Sequence, residues 1–165
     1  MEWKEELQQH TKEAEKVVQG YLPEETGHQK LLIEASNYSV LVGGKRLSPT
    51  IMLESFKAFG GTGNVVEPFM AALEMIHSGS LVHDDLPCMD HDEYRSGNLT
   101  TWPKSGYDLA VLAGDKLFIY AFETAAKAFA LTDRADLVGK AISILANKAG
   151  IYGMIGGQSV DVEYT

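Results

Sequence analysis

What most constrains the fold of this chain is the spacing of its apolar residues. They return every three or four positions between pairs of chain-breaking residues, and no alternation of period two persists anywhere. That pattern predicts helices. An amphipathic helix is expected over 3–20 and a second over 28–42, halted by Gly43-Gly44. Ser48 before Pro49 reads as an N-cap for a third, which carries Ile51, Met52, Leu53, Phe56 and Phe59 to a stop at Gly60-Gly61. Asn64 with Glu67 has the outline of a capping box opening a long helix to Asp85, where Pro87 must kink or end it. A loop over 90–106, a helix over 107–130, one capped by Thr132 over 134–150 and a helical 154–165 complete an all-α chain. With no repeat or linker in view, residues 1–165 are expected to form one helical domain.

Charge and cysteine content narrow the function. A net charge of −9 argues against a nucleic-acid partner, which wants clustered Lys and Arg. Cys88 is the sole cysteine and cannot form an internal disulfide, which favours a reducing cytoplasm. The opening residues show no apolar signal core. Residues 69–82 are shorter than the roughly 20 a membrane span needs and contain Glu74 and His77. Residues 107–131 are long enough but carry Asp108, Asp115, Lys116, Glu123 and Lys127. No membrane span is expected, and the protein is read as soluble.

The chemistry concentrates at the end of the fourth helix. Asp84, Asp85, Asp90, Asp92 and Glu93 place five carboxylates within ten residues. Such runs are usually solvated, but this one ends an apolar helix that must face a core, where crowded carboxylates call for cations. Oxygen-only ligands point to Mg²⁺, completed by substrate phosphates. In an unbroken helix Asp84 and Asp90 would point about 120° apart, so the break at Pro87 is needed to bring them to one rim. His77 lies two turns before Asp84 on the same face, as a cavity residue or a packed core histidine. Zinc on His83, Cys88 and His91 lacks paired spacing. A calcium loop starting at Asp90 fails because Arg95 stands where Gly is needed and Thr101 where Glu is needed.

Gly43-Gly44-Lys45-Arg46 supplies the opposite charge in a glycine turn that lets backbone approach a phosphate, although a solvated turn explains it equally well. Arg95 could grip a ligand or simply pair with the neighbouring acids. Acids and separate cations together suit a diphosphate, half held by Mg²⁺ and half by Lys and Arg.

Taken in order, Gly43-Gly44-Lys45-Arg46, Ile76-His77, the run Leu81–Asp90 with its Asp-Asp-Leu-Pro-Cys-Met-Asp element, Leu112-Ala113-Gly114-Asp115 and Gly156-Gly157-Gln158 resemble the trans-isoprenyl diphosphate synthase family, of the bacterial farnesyl and geranylgeranyl diphosphate synthase type. The resemblance implies an isoprenoid-synthase-type antiparallel helical bundle, of which this chain would be the N-terminal half. It implies an Mg²⁺-dependent prenyltransferase joining isopentenyl diphosphate to an allylic diphosphate. Asp84, Asp85 and Asp90 would be catalytic as metal ligands. Gly44, Lys45, Arg46, His77, Arg95, Gln158 and Asp161 would bind substrate, Lys45 and His77 on the isopentenyl side and Arg95 on the allylic side.

Departures from the family pattern matter too. The second aspartate-rich motif of the family lies beyond the GGQ segment, so this chain alone is expected to be inactive, with bare apolar faces covered by a second copy or a partner chain. Ser48 and Ser96 stand where the family has arginines, Trp102-Pro103 where it has His-Lys, and Lys116, Phe118 and Ile119 are unusual. Gly79 stands where a bulky residue would form a pocket floor, which predicts a deeper pocket and a longer product, shortened by Gly79→Tyr. The rival reading is a non-catalytic binding or subunit protein, repurposed or engineered on the same scaffold. Trp102, Tyr107, Phe118 and Ile119 would then be its interface, or else ordinary core packing.

Overall fold

The computed structural model describes residues 2–42 and 44–164, so Gly43 of the glycine pair and Thr165 lie outside the described residues. The all-helical expectation holds. Helices α1 (Glu2–Gly20), α2 (Lys30–Leu41), α3 (Leu47–Ala58) and α4 (Glu67–Asp84) come first. After a small hairpin follow α5 (Thr101–Ser105), α6 (Tyr107–Ala126), a 3-10 turn (Lys127–Ala130), α7 (Ala135–Ala149) and α8 (Met154–Tyr164). Among the described residues no helix is long and apolar enough to cross a membrane.

Helix α4 is the axis of the structure, in contact with α1, α2, α3 and above all α6. Its apolar positions go around the helix rather than along one stripe, which suits an element surrounded on most sides. Met70, Ala71, Ala72, Met75, Ile76 and Val82 are buried on it. Small residues let α6 come close: Ala110, Ala113, Ala121 and Ala125 are fully buried on the facing side. Gly114 is required there, since a Cβ would lie 2.2 Å from the His83 ring. A second cluster of Ala14, Leu53, Val66 and Met70 joins α1, α3 and the start of α4.

Gly79 belongs to this packing and not to a pocket floor. A Cβ on it would stand 3.1 Å from Leu117 Cβ and 3.3 Å from the Gly114 carbonyl. The glycine therefore serves the approach of α6, and Gly79→Tyr would overpack the crossing instead of capping a pocket.

The helix starts differ in detail from the sequence signals. Arg46, in the left-handed region at φ 46°, is the N-cap of α3, and Ser48 lies inside the helix without capping it. Asn64 offers its backbone carbonyl to the Glu67 N–H at 3.0 Å, while Val66 is the N-cap of α4 and makes no side-chain bond. The Thr132 hydroxyl accepts from the Arg134 N–H at 3.2 Å, one residue ahead of α7. The glycine stop after α3 is real: Gly60 takes φ 81° and the Gly61 N–H reaches back to the Phe56 carbonyl at 2.8 Å.

The region read as loop over 90–106 holds a two-stranded hairpin, β1 (Tyr94–Arg95) against β2 (Asn98–Leu99), and α5. Ser96 at φ 52° and Gly97 at φ 84° form its two-residue turn, with positive φ at both positions as a tight hairpin requires. Strands this short show no period-two signal, so only the Ser-Gly pair marked them.

Helices α7 and α8 are a contrast. Val138 is the one residue buried on α7, and α8 buries none. Ile144, Ile151, Tyr152, Ile155, Val160, Val162 and Tyr164 face outward.

Candidate active site

Pro87 ends α4 as its chemistry demands, and the chain doubles back. The Leu86 N–H bonds the His83 carbonyl at 3.2 Å, and the Asp90 N–H returns to the Asp84 carbonyl at 2.9 Å. His91 closes the turn at φ 58°, its N–H on the Leu86 carbonyl at 3.1 Å. Asp84 and Asp90, six residues apart, thereby come to one rim. Burial pushes the Asp84 carboxyl above the usual carboxylate range and the charge of Asp90 pushes it further, with Arg95 opposing and Asp85 and Asp92 adding. The loop carries more negative charge than its surroundings neutralise.

Two residues hold this loop: Thr100, which the sequence did not mark, and Trp102, which it marked only as a departure and an interface candidate. The Thr100 hydroxyl and the Trp102 indole N–H both donate to the Asp92 carbonyl, at 2.6 and 2.9 Å. The Trp102 ring also packs edge-on to His91 with centroids 5.4 Å apart. Trp102 is thus a fastener of the acidic loop.

Asp85 faces inward and is buried. Arg95, on β1, donates to its Oδ1 through Nε at 2.9 Å and Nη2 at 2.6 Å. Burial raises the Asp85 carboxyl even so, the Arg95 bond and charge working the other way. The same Nη2 lies 3.6 Å from Asp92 and 3.9 Å from Asp84. From the far end of the chain, α8 brings Gln158, whose Nε2 donates to Asp84 Oδ1 at 2.8 Å. Asp161 stands one turn further along α8, exposed. Among the described residues no three acidic, His or Cys groups converge closely enough to hold a metal ion by themselves. The donor chemistry nevertheless fits Mg²⁺: oxygen ligands only, in mutual repulsion, with Asp84 and Asp90 on an open edge.

Beside the acids opens a cleft of about 440 Å³, walled by Gly44, Lys45, Ser48, His77, Arg95 and Ser96 among others. His77 is exposed at its edge, and Lys45 makes no ion pair among the described residues. Both serines noted as departures line it. Arg46 also borders the cleft, but its guanidinium is turned away. Nη1 donates to Glu74 at 2.5 Å, Nε to Glu15, and Nη2 to the Val40 carbonyl and, at 3.3 Å, to Glu15. Every nitrogen of the guanidinium foreseen for phosphate is bonded inside the protein. Nothing in the sequence pairs Glu15 or Glu74 with it, since they lie 31 and 28 residues away.

With this geometry in view, the comparison with known proteins is decisive. The profile of the family described as polyprenyl synthetase matches residues 29–165. This chain belongs to the polyprenyl synthetase family. It is 43% identical over 136 residues to a geranylgeranyl diphosphate synthase of Cyanophora paradoxa, covering 82% of this chain and 45% of that protein. It is 41% identical over 135 residues to a farnesyl diphosphate synthase of Micrococcus luteus, with the same coverage of 82% and 45%. Among solved structures, an FPP/GFPP synthase from Zymomonas mobilis superposes with a TM-score of 0.89 at 32% identity, over 97% of this chain and 57% of that one. A geranyltransferase from Legionella pneumophila gives 0.88 at 30% identity, over 96% and 55%. The polyprenyl synthetase fold is therefore present here over about half the length of the relatives it matches.

Proposed function

We propose that this chain is the diphosphate-binding part of a prenyltransferase that condenses isopentenyl diphosphate with an allylic diphosphate, with 1–165 acting as one helical domain. The observation that carries the reading is the doubled-back loop. It sets Asp84 and Asp90 on one rim, bonds Asp84 to Gln158 of α8, and opens onto the cleft of Lys45 and His77. Relatives named as farnesyl and geranylgeranyl diphosphate synthases support the same chemistry.

Asp84 and Asp90, with Asp85 behind them, would hold Mg²⁺, which supplies positive charge to the departing diphosphate. Mg²⁺ keeps several waters and takes phosphate oxygens, so a two-carboxylate edge is a sufficient protein contribution. Arg95 shields the inward side of the acids and lies within reach of the allylic diphosphate. Lys45 and His77 hold the isopentenyl diphosphate across the cleft, with Gly44 keeping the backbone open. Gln158 orients Asp84, and Asp161 adds a carboxylate from the same helix. The reaction is ionisation of the allylic diphosphate, attack by the isopentenyl double bond on the cation, and loss of a proton. Apolar helix faces exclude water from the cation.

The exposed apolar side chains of α7 and α8 call for cover by further polypeptide, and turnover is expected only with that cover in place. A reducing compartment suits Cys88; that compartment is the cytoplasm in our reading, although some relatives are named as chloroplastic. A specific observation also favours a binding or subunit role: Arg46 and Arg95 are engaged internally, leaving Lys45 as the cleft's one unpaired Lys or Arg among the described residues.

Calorimetric titration with a non-ionisable geranyl diphosphate analogue separates the two. Saturable binding that requires Mg²⁺ and disappears in Asp84→Ala supports the enzyme. No binding at any Mg²⁺ concentration would leave the subunit reading.

A further inference from the structure

Arg46 is a cation enclosed by protein, with 1% of its side chain exposed beside a Glu74 side chain 5% exposed. Its donors gather three helices at the start of α3: Glu15 from α1, the Val40 carbonyl from α2 and Glu74 from α4. All three of its nitrogens are bonded inside the protein, and the group is turned from the cleft. Yet the residue sits in the short segment that carries Lys45 into the cleft, and its backbone holds a left-handed conformation that a side-chain-bearing residue keeps only where the surroundings impose it. Exposed Gly44 lies beside the same group, where a Cβ would make ordinary contact at 3.6 Å from Arg46 Nη1 and 3.8 Å from Glu74 Oε1.

We propose that the buried Glu15–Arg46–Glu74 triad is a positioning device for Lys45. It fixes the backbone on either side of Arg46 and so sets where the neighbouring ammonium meets a diphosphate. This inference rests on the reading of Lys45 as a diphosphate ligand. Lys45 has no ion pair of its own among the described residues, so what holds it is the residue next to it. The arginine is engaged in architecture, and through that architecture it serves binding.

Electrostatics makes the proposal separable from a general charge effect. The triad holds two carboxylates against one guanidinium, so it adds negative charge beside an anion site. Neutralising Glu74 as Gln should strengthen anion binding if its charge alone matters. If position matters, Glu74→Gln should weaken it, because the Arg46 fork loses its buried charged partner.

The test titrates isopentenyl diphosphate into the protein without Mg²⁺, comparing wild type with Glu74→Gln, Glu15→Gln, Lys45→Ala and the double variant Lys45→Ala/Glu74→Gln. Glu74→Gln is expected to weaken binding about tenfold despite removing a negative charge. Glu15→Gln, at the more exposed end of the triad, should act in the same direction and less. The double variant should bind no worse than Lys45→Ala, since the triad acts through that lysine. Equal or tighter binding by Glu74→Gln, or a loss that adds fully to that of Lys45→Ala, overturns the proposal. If Glu74→Gln does not fold, Glu15→Gln decides by the same criteria. Hydrogen exchange at the amides of 44–48 is read in parallel. It should speed up about tenfold in the Glu variants while α4 stays protected, and unchanged exchange overturns the proposal. If wild type binds no isopentenyl diphosphate, the functional reading of Lys45 fails, and the exchange result still decides whether the triad positions the segment.

Discussion

Arg46 and Arg95 border the same cleft and are both tied to carboxylates, but they belong to different kinds of charge cluster. Arg46 is enclosed, each arm of its fork on a carboxylate or carbonyl; burial works against its charge, and the bonds and charges of Glu15 and Glu74 outweigh it. Arg95 is half-buried and stands alone against Asp84, Asp85 and Asp92, with Asp90 close by. The first cluster is closed and reads as architecture. The second is short of positive charge and reads as a site waiting for cations. Burial is what chiefly raises the Asp85 carboxyl beside its arginine, and the charges of Asp92 and Asp90 add to it.

Substitutions at the two clusters should have unequal effects. The largest effect should come from Arg46→Met, which leaves Glu74 buried without its partner and should lower stability by about 3–5 kcal/mol in denaturant unfolding. Arg95→Met should cost only about 1–3 kcal/mol, because one buried carboxylate loses its bond at a wetter site. Equal losses would mean the clusters are not different in kind. Asp84→Ala should do the reverse. It should weaken Mg²⁺-dependent binding of the allylic diphosphate analogue by about a hundredfold or more, read by calorimetry, with no loss of melting temperature.

Smaller effects sharpen the contrast through pH. Asp84 and Asp85 are raised above 3.8, so the folded chain holds protons there that the unfolded chain has lost. Their contribution therefore falls as pH rises from 3.8 through the folded-state values, and melting curves of Asp84→Asn should show less of that fall. Lys116 is a third kind of cation: its Nζ is buried without a hydrogen-bond partner among the described residues and stands 4.5 Å over the Tyr120 ring. Burial lowers it from 10.5 to about 8, Glu123 pulling weakly the other way. Here the unfolded chain binds the extra proton, so stability rises with pH between about 8 and 10.5. Lys116→Met should remove that rise in a melting series.

Most of the fold was legible because each helix carried its own punctuation. Gly60, Pro87 and the return of apolar residues every three or four positions act locally, so sequence alone places every helix except the short α5 to within a turn. The caps at Ser48 and Asn64 were not as expected, since a backbone carbonyl or a left-handed Arg46 can start a helix as well as a side chain can. At the site, the turn that joins Asp84 and Asp90 follows from Pro87 and was legible. What Arg46 pairs with was not, because Glu15 and Glu74 meet it only through packing of α1 and α4. Gly79 misled for the same reason: a glycine below the acids reads as space until α6 is seen to fill it.

In our reading one cluster is closed and the other is open to Mg²⁺ and diphosphate. Side-chain Nε–Hε resonances of the two arginines report on this directly when Mg²⁺ and the non-ionisable geranyl diphosphate analogue are added together. The Arg95 signal is expected to shift, along with the amides of 84–92 and Gln158, while the Arg46 signal stays in place. An Arg46 signal that moves as far as that of Arg95, or an Arg95 signal that does not move at saturation, would contradict it.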